Sequence, residues 1–197
     1  MFDEQCGDQE TASFNYENGV LTISGTGKMY DYSDEEDAPW KMYKTTQYKK
    51  IVVEEGIMRI GTNAFWNMDS VTEISLPNAL EEIGSGCFYG CNQLKSIDLP
   101  RSVKKLGNPD SDNRFAMFEY CHNLKTINIP TDSQLSYIES GAFYESGIES
   151  IFIPSTVEEI GVGAFNTGLL KDISVAEDNP YYKSADGVFI EKGGEKH

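Results

Sequence analysis

The chain has 197 residues, 39% of them hydrophobic, and a formal net charge of −16 from 32 acidic and 16 basic side chains. That length supports a sizeable core, and no apolar run approaches the roughly 18 residues that a membrane helix needs. The acidic excess argues against a nucleic-acid partner, whose phosphates are met by basic patches.

Residues 1–45 carry no repeat and read as an N-terminal β-hairpin cap. Phe14-Asn15-Tyr16 and Val20-Leu21-Thr22-Ile23 flank Asn18-Gly19, a pair that supplies the positive φ values of a tight primed turn. The run Asp31, Asp34, Glu35, Glu36, Asp37 reads as a solvated loop before Pro39-Trp40. Met29 and Trp40 are expected to pack over the otherwise open apolar end of the domain that begins beyond them.

Residues 46–176 form a repeat. Segments 48–53, 71–76, 94–99, 124–129, 148–153 and 170–175 each read apolar-x-x-apolar-x-apolar, at spacings of 23, 23, 30, 24 and 22 residues. Four of them run into proline, at Pro77, Pro100, Pro130 and Pro154. A period in the twenties predicts a leucine-rich-repeat solenoid of about six coils, mainly β with short irregular or helical convex segments, each coil adding one strand to a continuous sheet.

Behind each strand comes a second block, as in Ile60-Gly61-Thr62-Asn63-Ala64-Phe65 or Ile160-Gly161-Val162-Gly163-Ala164-Phe165. Its glycines and small residues permit tight backbone and close coil contact. Phe65, Phe88, Phe118, Phe143 and Phe165 share one register and are expected to stack as an internal ladder. One block is different: Leu106 stands 12 residues before Phe118 instead of five. The extra residues lie within 108–114, a polar, turn-forming insertion of the kind that maps to a surface loop and can carry binding. Asp110, Asp112 and Asn113 there only faintly resemble a calcium loop. Residues 177–197 are expected to form a C-terminal hairpin, turning at Asp186-Gly187, and a frayed polar tail.

Four cysteines, Cys6, Cys87, Cys91 and Cys121, lack the paired spacing of a zinc site. Cys91 and Cys121 occupy one register in neighbouring repeats, where small buried residues fit; a disulfide between them would require suitable Cβ directions. Only His122 and His197 are present, and adjacent Cys121 and His122 would point apart, so no catalytic residue is assigned. No metal or cofactor is expected.

Taken together, Ile-Gly-x-x-Ala-Phe, a following Cys or small residue, and Leu-x-x-Ile-x-Ile-Pro resemble the BspA-type leucine-rich repeat of bacterial surface proteins, over about residues 48–190. The opening Leu21-Thr22-Ile23-Ser24-Gly25-Thr26-Gly27 and the segment from Asn179-Pro180 to Val188 are similar to stretches that flank such repeats. The resemblance implies a secreted or cell-surface protein of non-catalytic, adhesive type, with its export signal or anchor outside these residues and a host or bacterial surface protein or glycan as partner. It carries over no functional residue. Glu139, where the pattern has glycine, and the insertion together predict disturbed stacking around the fourth coil. The end of the sequence shows no evident C-terminal cap, which leaves room for an end-to-end homodimer.

Binding residues are therefore sought where the repeat does not dictate the side chain. Alternation along the strands places Val52, Ser75, Asp98, Asn128, Phe152 and Ser174 on the outer, expectedly concave face. A neighbouring row holds Lys49, Thr72, Lys95, Lys125, Glu149 and Lys171. Phe152, an aromatic in a water-facing register, is the sharpest candidate anchor, joined by Asn128, Asp98, Lys95, Lys125 and Lys171. A spacer domain within a larger surface protein is the main alternative, and a metal-dependent module a more distant one.

Overall fold

A computed structural model describes residues 6–7, 12–33, 38–42, 45–110, 114–185 and 188–192. β1 (Ala12–Glu17) and β2 (Val20–Gly25) form the expected hairpin, with Asn18 and Gly19 at φ of 50° and 84°. β2 then pairs in parallel with β4 (Lys50–Val53), and β4 with β6 (Glu73–Ser75). The same column continues through β8 (Ser96–Asp98), β10 (Thr126–Asn128), β12 (Ser150–Ile153) and β14 (Asp172–Val175), with β8 paired to β10 and β12 to β14 in parallel. The shortest strands of this column hold only three residues, with the middle one turned inward and its neighbours outward, as in Ser96-Ile97-Asp98 and Thr126-Ile127-Asn128.

A second parallel ladder, which the sequence did not disclose, runs along another side of the coils. It comprises β3 (Gly27–Lys28), β5 (Ile57–Ile60), β7 (Glu82–Ile83), β9 (Lys105–Leu106), β11 (Tyr137–Ile138) and β13 (Glu159–Ile160). A third side, which we call the turn arm, joins coils by amides donating to carbonyls of the next coil, as from Asn63 to Ser85 (3.0 Å), Phe65 to Cys87 (3.0 Å) and Asn67 to Tyr89 (2.8 Å). The arm turns through left-handed residues at one register, with Asn63, Gly86, Gly141 and Gly163 all at φ between 54° and 67°. The expectation of irregular or helical convex segments resolves into this bonded arm.

Close approach explains the Ile-Gly pairs. A Cβ on Gly61 would lie 1.6 Å from the Tyr30 carbonyl oxygen, and one on Gly84 2.5 Å from the Thr62 nitrogen. The five phenylalanines stack as expected, at centroid separations of 5.8, 5.4, 5.7 and 5.8 Å and interplanar angles of 17° or less. Each fully buried ring contributes about 1.5–3 kcal/mol through burial.

The N-terminal segment closes one end of this ladder. Trp40 is fully buried beside Phe65, its indole Nε1 donating to the Ala64 carbonyl (2.9 Å), and Met29 is buried nearby. β2, β3 and the stretch up to Tyr32, whose amide donates to Thr62, trace the path of a coil without carrying its consensus.

At the other end the C-terminal strand pair packs onto the last coil. Asn179 is fully buried, donating to the carbonyls of Pro154 (2.8 Å) and Val157 (3.1 Å) and accepting from the amides of Tyr181 and Tyr182. It aims β15 (Tyr182–Ala185) and β16 (Val188–Glu191), an antiparallel pair, at the last coil. The Tyr182 hydroxyl accepts from the Ile160 amide on the ladder edge, and Phe189 packs against Phe165. Asp186, Gly187 and residues 193–197 lie outside the described residues, as do Asp34 to Asp37, Asp112 and Asn113.

Stacking is also regular across the fourth coil, against expectation. β9 and β11 pair in register, Lys105 with Tyr137 and Leu106 with Ile138, and Phe118 lies flat on Phe143. The insertion leaves the coil after Leu106 and returns before Met117, so neither ladder has to shift.

Candidate binding surfaces

The outer face of the long-strand column carries the side chains that alternation places there. Val52 pairs with Ser75, Asp98 with Asn128 and Phe152 with Ser174, so the row runs as three hydrogen-bonded pairs, with no ladder bonds among the described residues between β6 and β8 or between β10 and β12. Asn128 donates to Asp98. Phe152 is half-buried among exposed polar neighbours in the row.

The lysine row is partly compensated. Lys125 and Lys171 both reach Glu149, at 3.1 and 2.6 Å, and together hold its carboxyl below the usual carboxylate range, Lys171 contributing more. Lys50, beside the row, is paired with Glu73. Lys49 and Lys95 are exposed and make no ion pair among the described residues. In the stretch around Phe152 this face therefore offers one aromatic, an Asp98–Asn128 pair and the uncompensated Lys95.

A different surface, on the turn arm, escaped the sequence reading. Half-buried aromatic rings run from coil to coil there: Trp66 to Phe115 (5.6 Å), Phe115 to Tyr89 (4.7 Å), Tyr89 to Tyr120 (5.5 Å) and Tyr120 to Tyr144 (6.1 Å). Lys41 places its ammonium 3.9 Å from the centre of the Trp66 ring. The signal was legible, since the residue after the core phenylalanine is Trp66, Tyr89 or Tyr144 in three of five coils. Phe115 comes from the returning limb of the insertion and bridges Trp66 and Tyr89.

Glu139 explains how the insertion is accommodated. In regular coils the amide before the core phenylalanine donates to the carbonyl of the glycine register three residues earlier, as Cys87 does to Gly84 (3.3 Å) and Ala164 to Gly161 (3.2 Å). The insertion carries that carbonyl away, and Met117 donates instead to Glu139 Oε1 (2.6 Å). Ser85 Oγ donates to Oε2 (2.6 Å). Gly107, at φ +90°, turns the chain aside and frees the space, for a Cβ there would lie 2.1 Å from Glu139 Oε2. Burial pushes the Glu139 carboxyl up to about 7, outweighing the donors at Ser85, Met117 and Asn108.

Beside this carboxyl lies a polar cavity of about 310 Å³, lined by Asn108, Arg114, Phe115, Tyr137, Glu139 and Ser140 among others. It has the size of a small-ligand site. Phe115 belongs both to its wall and to the aromatic strip.

Cys121 and His122 are not arranged as a nucleophile and its base. Cys121 is fully buried and donates its thiol to the Phe88 carbonyl (3.0 Å), whereas His122 is exposed and engages the Glu145 carbonyl through Nδ1 (3.0 Å). Cys91 and Cys121 are both unbridged. Among the described residues no three metal-ligating side chains converge, and no helix is long and apolar enough to cross a membrane.

A profile of the BspA type Leucine rich repeat region matches residues 39–168 and 111–185, in six copies. No curated protein matches the sequence. Among solved structures the chain is similar to a leucine rich cell surface protein from Faecalibacterium prausnitzii, at 21% identity and a TM-score of 0.61 over 97% of this chain and 59% of that one. It is similar to a leucine-rich repeat protein from Eubacterium ventriosum, at 20% identity and a TM-score of 0.65 over 95% of this chain and 48% of that one. The pneumococcal vaccine antigen PcpA aligns at 18% identity and a TM-score of 0.65, over 95% of this chain and 55% of that one. The chain thus spans about half to three fifths of these relatives, and at such identities the likeness is one of fold.

Proposed function

Because this chain belongs to the BspA-type leucine-rich repeat family, we propose that it is a non-catalytic binding module of a bacterial surface protein, contacting a partner protein or glycan outside the cell through the outer face of its long-strand sheet. The observation that carries this reading is Phe152. The repeat requires no aromatic at that position, yet one stands half-exposed on the outer face, paired with Ser174 and next in the row to the Asn128–Asp98 pair of the preceding strands. A lone aromatic anchor with hydrogen-bonding neighbours is the arrangement in which a few residues carry most of a contact's energy. Lys95 adds an uncompensated charge and would favour acidic partner groups. The similarity to a solved protein described as a cell surface protein supports the placement outside the cell.

The test is a binding screen of the purified chain against host matrix proteins, mucin glycans and bacterial surface material at physiological salt. Saturable binding that is lost in Phe152→Ala, with the melting temperature unchanged, is the expected result. A folded protein that binds nothing would favour a spacer role instead. Binding indifferent to Phe152→Ala and Lys95→Glu would remove this face from consideration.

A further inference from the structure

We propose that the two described limbs of the insertion, 108–110 and 114–115, border a second site, a saccharide-binding site for neutral, hydroxyl-rich chains, in which one sugar unit occupies the cavity beside Glu139 and its neighbours lie along the aromatic strip of the turn arm. Two independent observations meet at one residue. The cavity of about 310 Å³ is walled by polar groups and by Phe115, and Phe115 in turn joins Trp66 at 5.6 Å and Tyr89 at 4.7 Å in the strip.

The donor set selects the ligand. Arg114 offers donors only, an ionised Glu139 acceptors only, and Asn108, Tyr137 and Ser140 both. A mixed ring of this kind suits hydroxyl groups, each of which donates and accepts. A small anion would meet the Glu139 carboxylate and a net charge of −16, and a small cation would meet Arg114, so the ligand that satisfies both walls is uncharged. Lys41 covers one face of Trp66 and Arg114 lies over Phe115, so the apolar C–H surface of a sugar is met chiefly by the half-buried rings of Tyr89, Tyr120 and Tyr144, which are amphipathic in the same way. The strip runs from coil to coil, which suits a chain better than a single ring. The carboxylates Glu119 and Glu145, next in sequence to Tyr120 and Tyr144, supply acceptors along its edge. This site shares no residue with the sheet face and stands whether or not that face binds.

Isothermal titration calorimetry of the whole chain with chitotetraose, cellotetraose, xylotetraose and mannotetraose tests the proposal, with tetragalacturonate and choline as charged controls. Saturable binding of at least one neutral probe is expected. It should weaken about tenfold or more in Phe115→Ala, as loss of an aromatic anchor does, and likewise in Asn108→Ala, while Phe152→Ala leaves it unchanged. Arg114→Gln, at an exposed position, should also weaken binding, and its melting temperature checks that the variant is folded. No heat with any neutral probe from a folded protein would overturn the proposal. So would binding indifferent to all three substitutions, or a preference for either charged control.

Discussion

Glu139 Oε1 accepts the Met117 amide at 2.6 Å, in the place that a backbone carbonyl fills in every neighbouring coil. Two departures from the repeat, an acidic residue where glycine is usual and a polar insertion in the coil before it, are thus halves of one device. Glu139→Ala should leave the Met117 and Ser85 donors buried without partners and destabilise the protein by about 1–3 kcal/mol. Glu139→Gln keeps an acceptor and should cost less. Chemical denaturation of both variants checks this, and equal losses would mean that side-chain packing, not the acceptor, is what matters.

The same carboxyl gives a pH dependence with a definite sign. Its folded value, about 7, lies above the ordinary 4.5, so between those values the folded state binds more protons than the unfolded one. Stability from this group is therefore present below about 4.5 and lost as pH rises through 7, an effect of about 3 kcal/mol in full. The quantity to measure is the difference in unfolding free energy between the natural protein and Glu139→Gln at pH 5 and pH 8. It should shift against the natural protein at the higher pH, and a constant difference would show that Glu139 titrates like a solvated carboxylate.

Asp31 runs in the opposite direction. Burial works against its charge, but the Arg59 guanidinium (2.7 Å) and the Thr62 amide (2.6 Å) prevail and hold its carboxyl below the usual range. Its contribution is present above the unfolded value near 4 and is lost as pH falls through the folded one. Asp31→Asn should then destabilise the protein at pH 7 and differ progressively less from the natural protein below pH 4. Because Asp31 is more than half exposed, the loss at pH 7 should be small, and its disappearance in acid is the diagnostic feature.

Periodicity decided how much of the fold was legible in the sequence. Strands, the phenylalanine stack and the hairpin at Asn18-Gly19 all depend on local patterns, apolar spacing and turn chemistry, that survive being read one residue at a time. The ladder from β3 to β13 depends on two-residue pairings between distant coils, and Glu82-Ile83 or Tyr137-Ile138 alone carries no strand signal. The Glu139 acceptor answers a backbone carbonyl lost from another coil, where Gly107 stands 10 residues before Met117, and no single-position pattern encodes that relationship. The candidate surfaces divide likewise. Phe152 stood out because alternation gives each strand residue a side, whereas Phe115 lies in an irregular limb whose partners only the fold reveals. Register placed Glu149 between Lys125 and Lys171, but that both lysines fold onto it, leaving Lys95 the uncompensated one of the three candidate lysines, depends on side-chain reach that register does not encode.

Phe118 sits in the middle of the aromatic ladder, flat against Phe88 at 5.4 Å and Phe143 at 5.7 Å, and fully buried. Phe118→Ala should cost about 3–5 kcal/mol, through lost burial and the cavity left between two rings that coil pairing holds apart. Phe165, half-buried at the C-terminal end and covered edge-on by Phe189, has softer surroundings that can close over the gap. Its alanine variant should lose clearly less. Denaturation midpoints for the two variants decide the matter; equal losses would mean that the β15–β16 hairpin seals the last coil as tightly as another coil would.

The cysteines provide a probe of that tightness. All four are unbridged and buried, and burial pushes the thiols of Cys6 and Cys91 up to about 12 and those of Cys87 and Cys121 well above their ordinary value. The thiolate is the reacting species, so the folded protein should be inert to a disulfide reagent at pH 8, with four thiols titrating once guanidinium unfolds it. Any thiol that reacts in the folded state reports a local opening, and its identity says where. Cys6 depends on the N-terminal segment, whose Cys6 amide donates to Ala12 and whose Cys6 carbonyl accepts from Tyr30. Cys91 and Cys121 donate to the carbonyls of Phe65 and Phe88 one coil back. A single fast thiol at Cys6 would therefore mark fraying of the cap alone. Fast reaction at Cys91 and Cys121 would mean that the turn arm itself opens, and with it the aromatic strip that lines the same side of the coils.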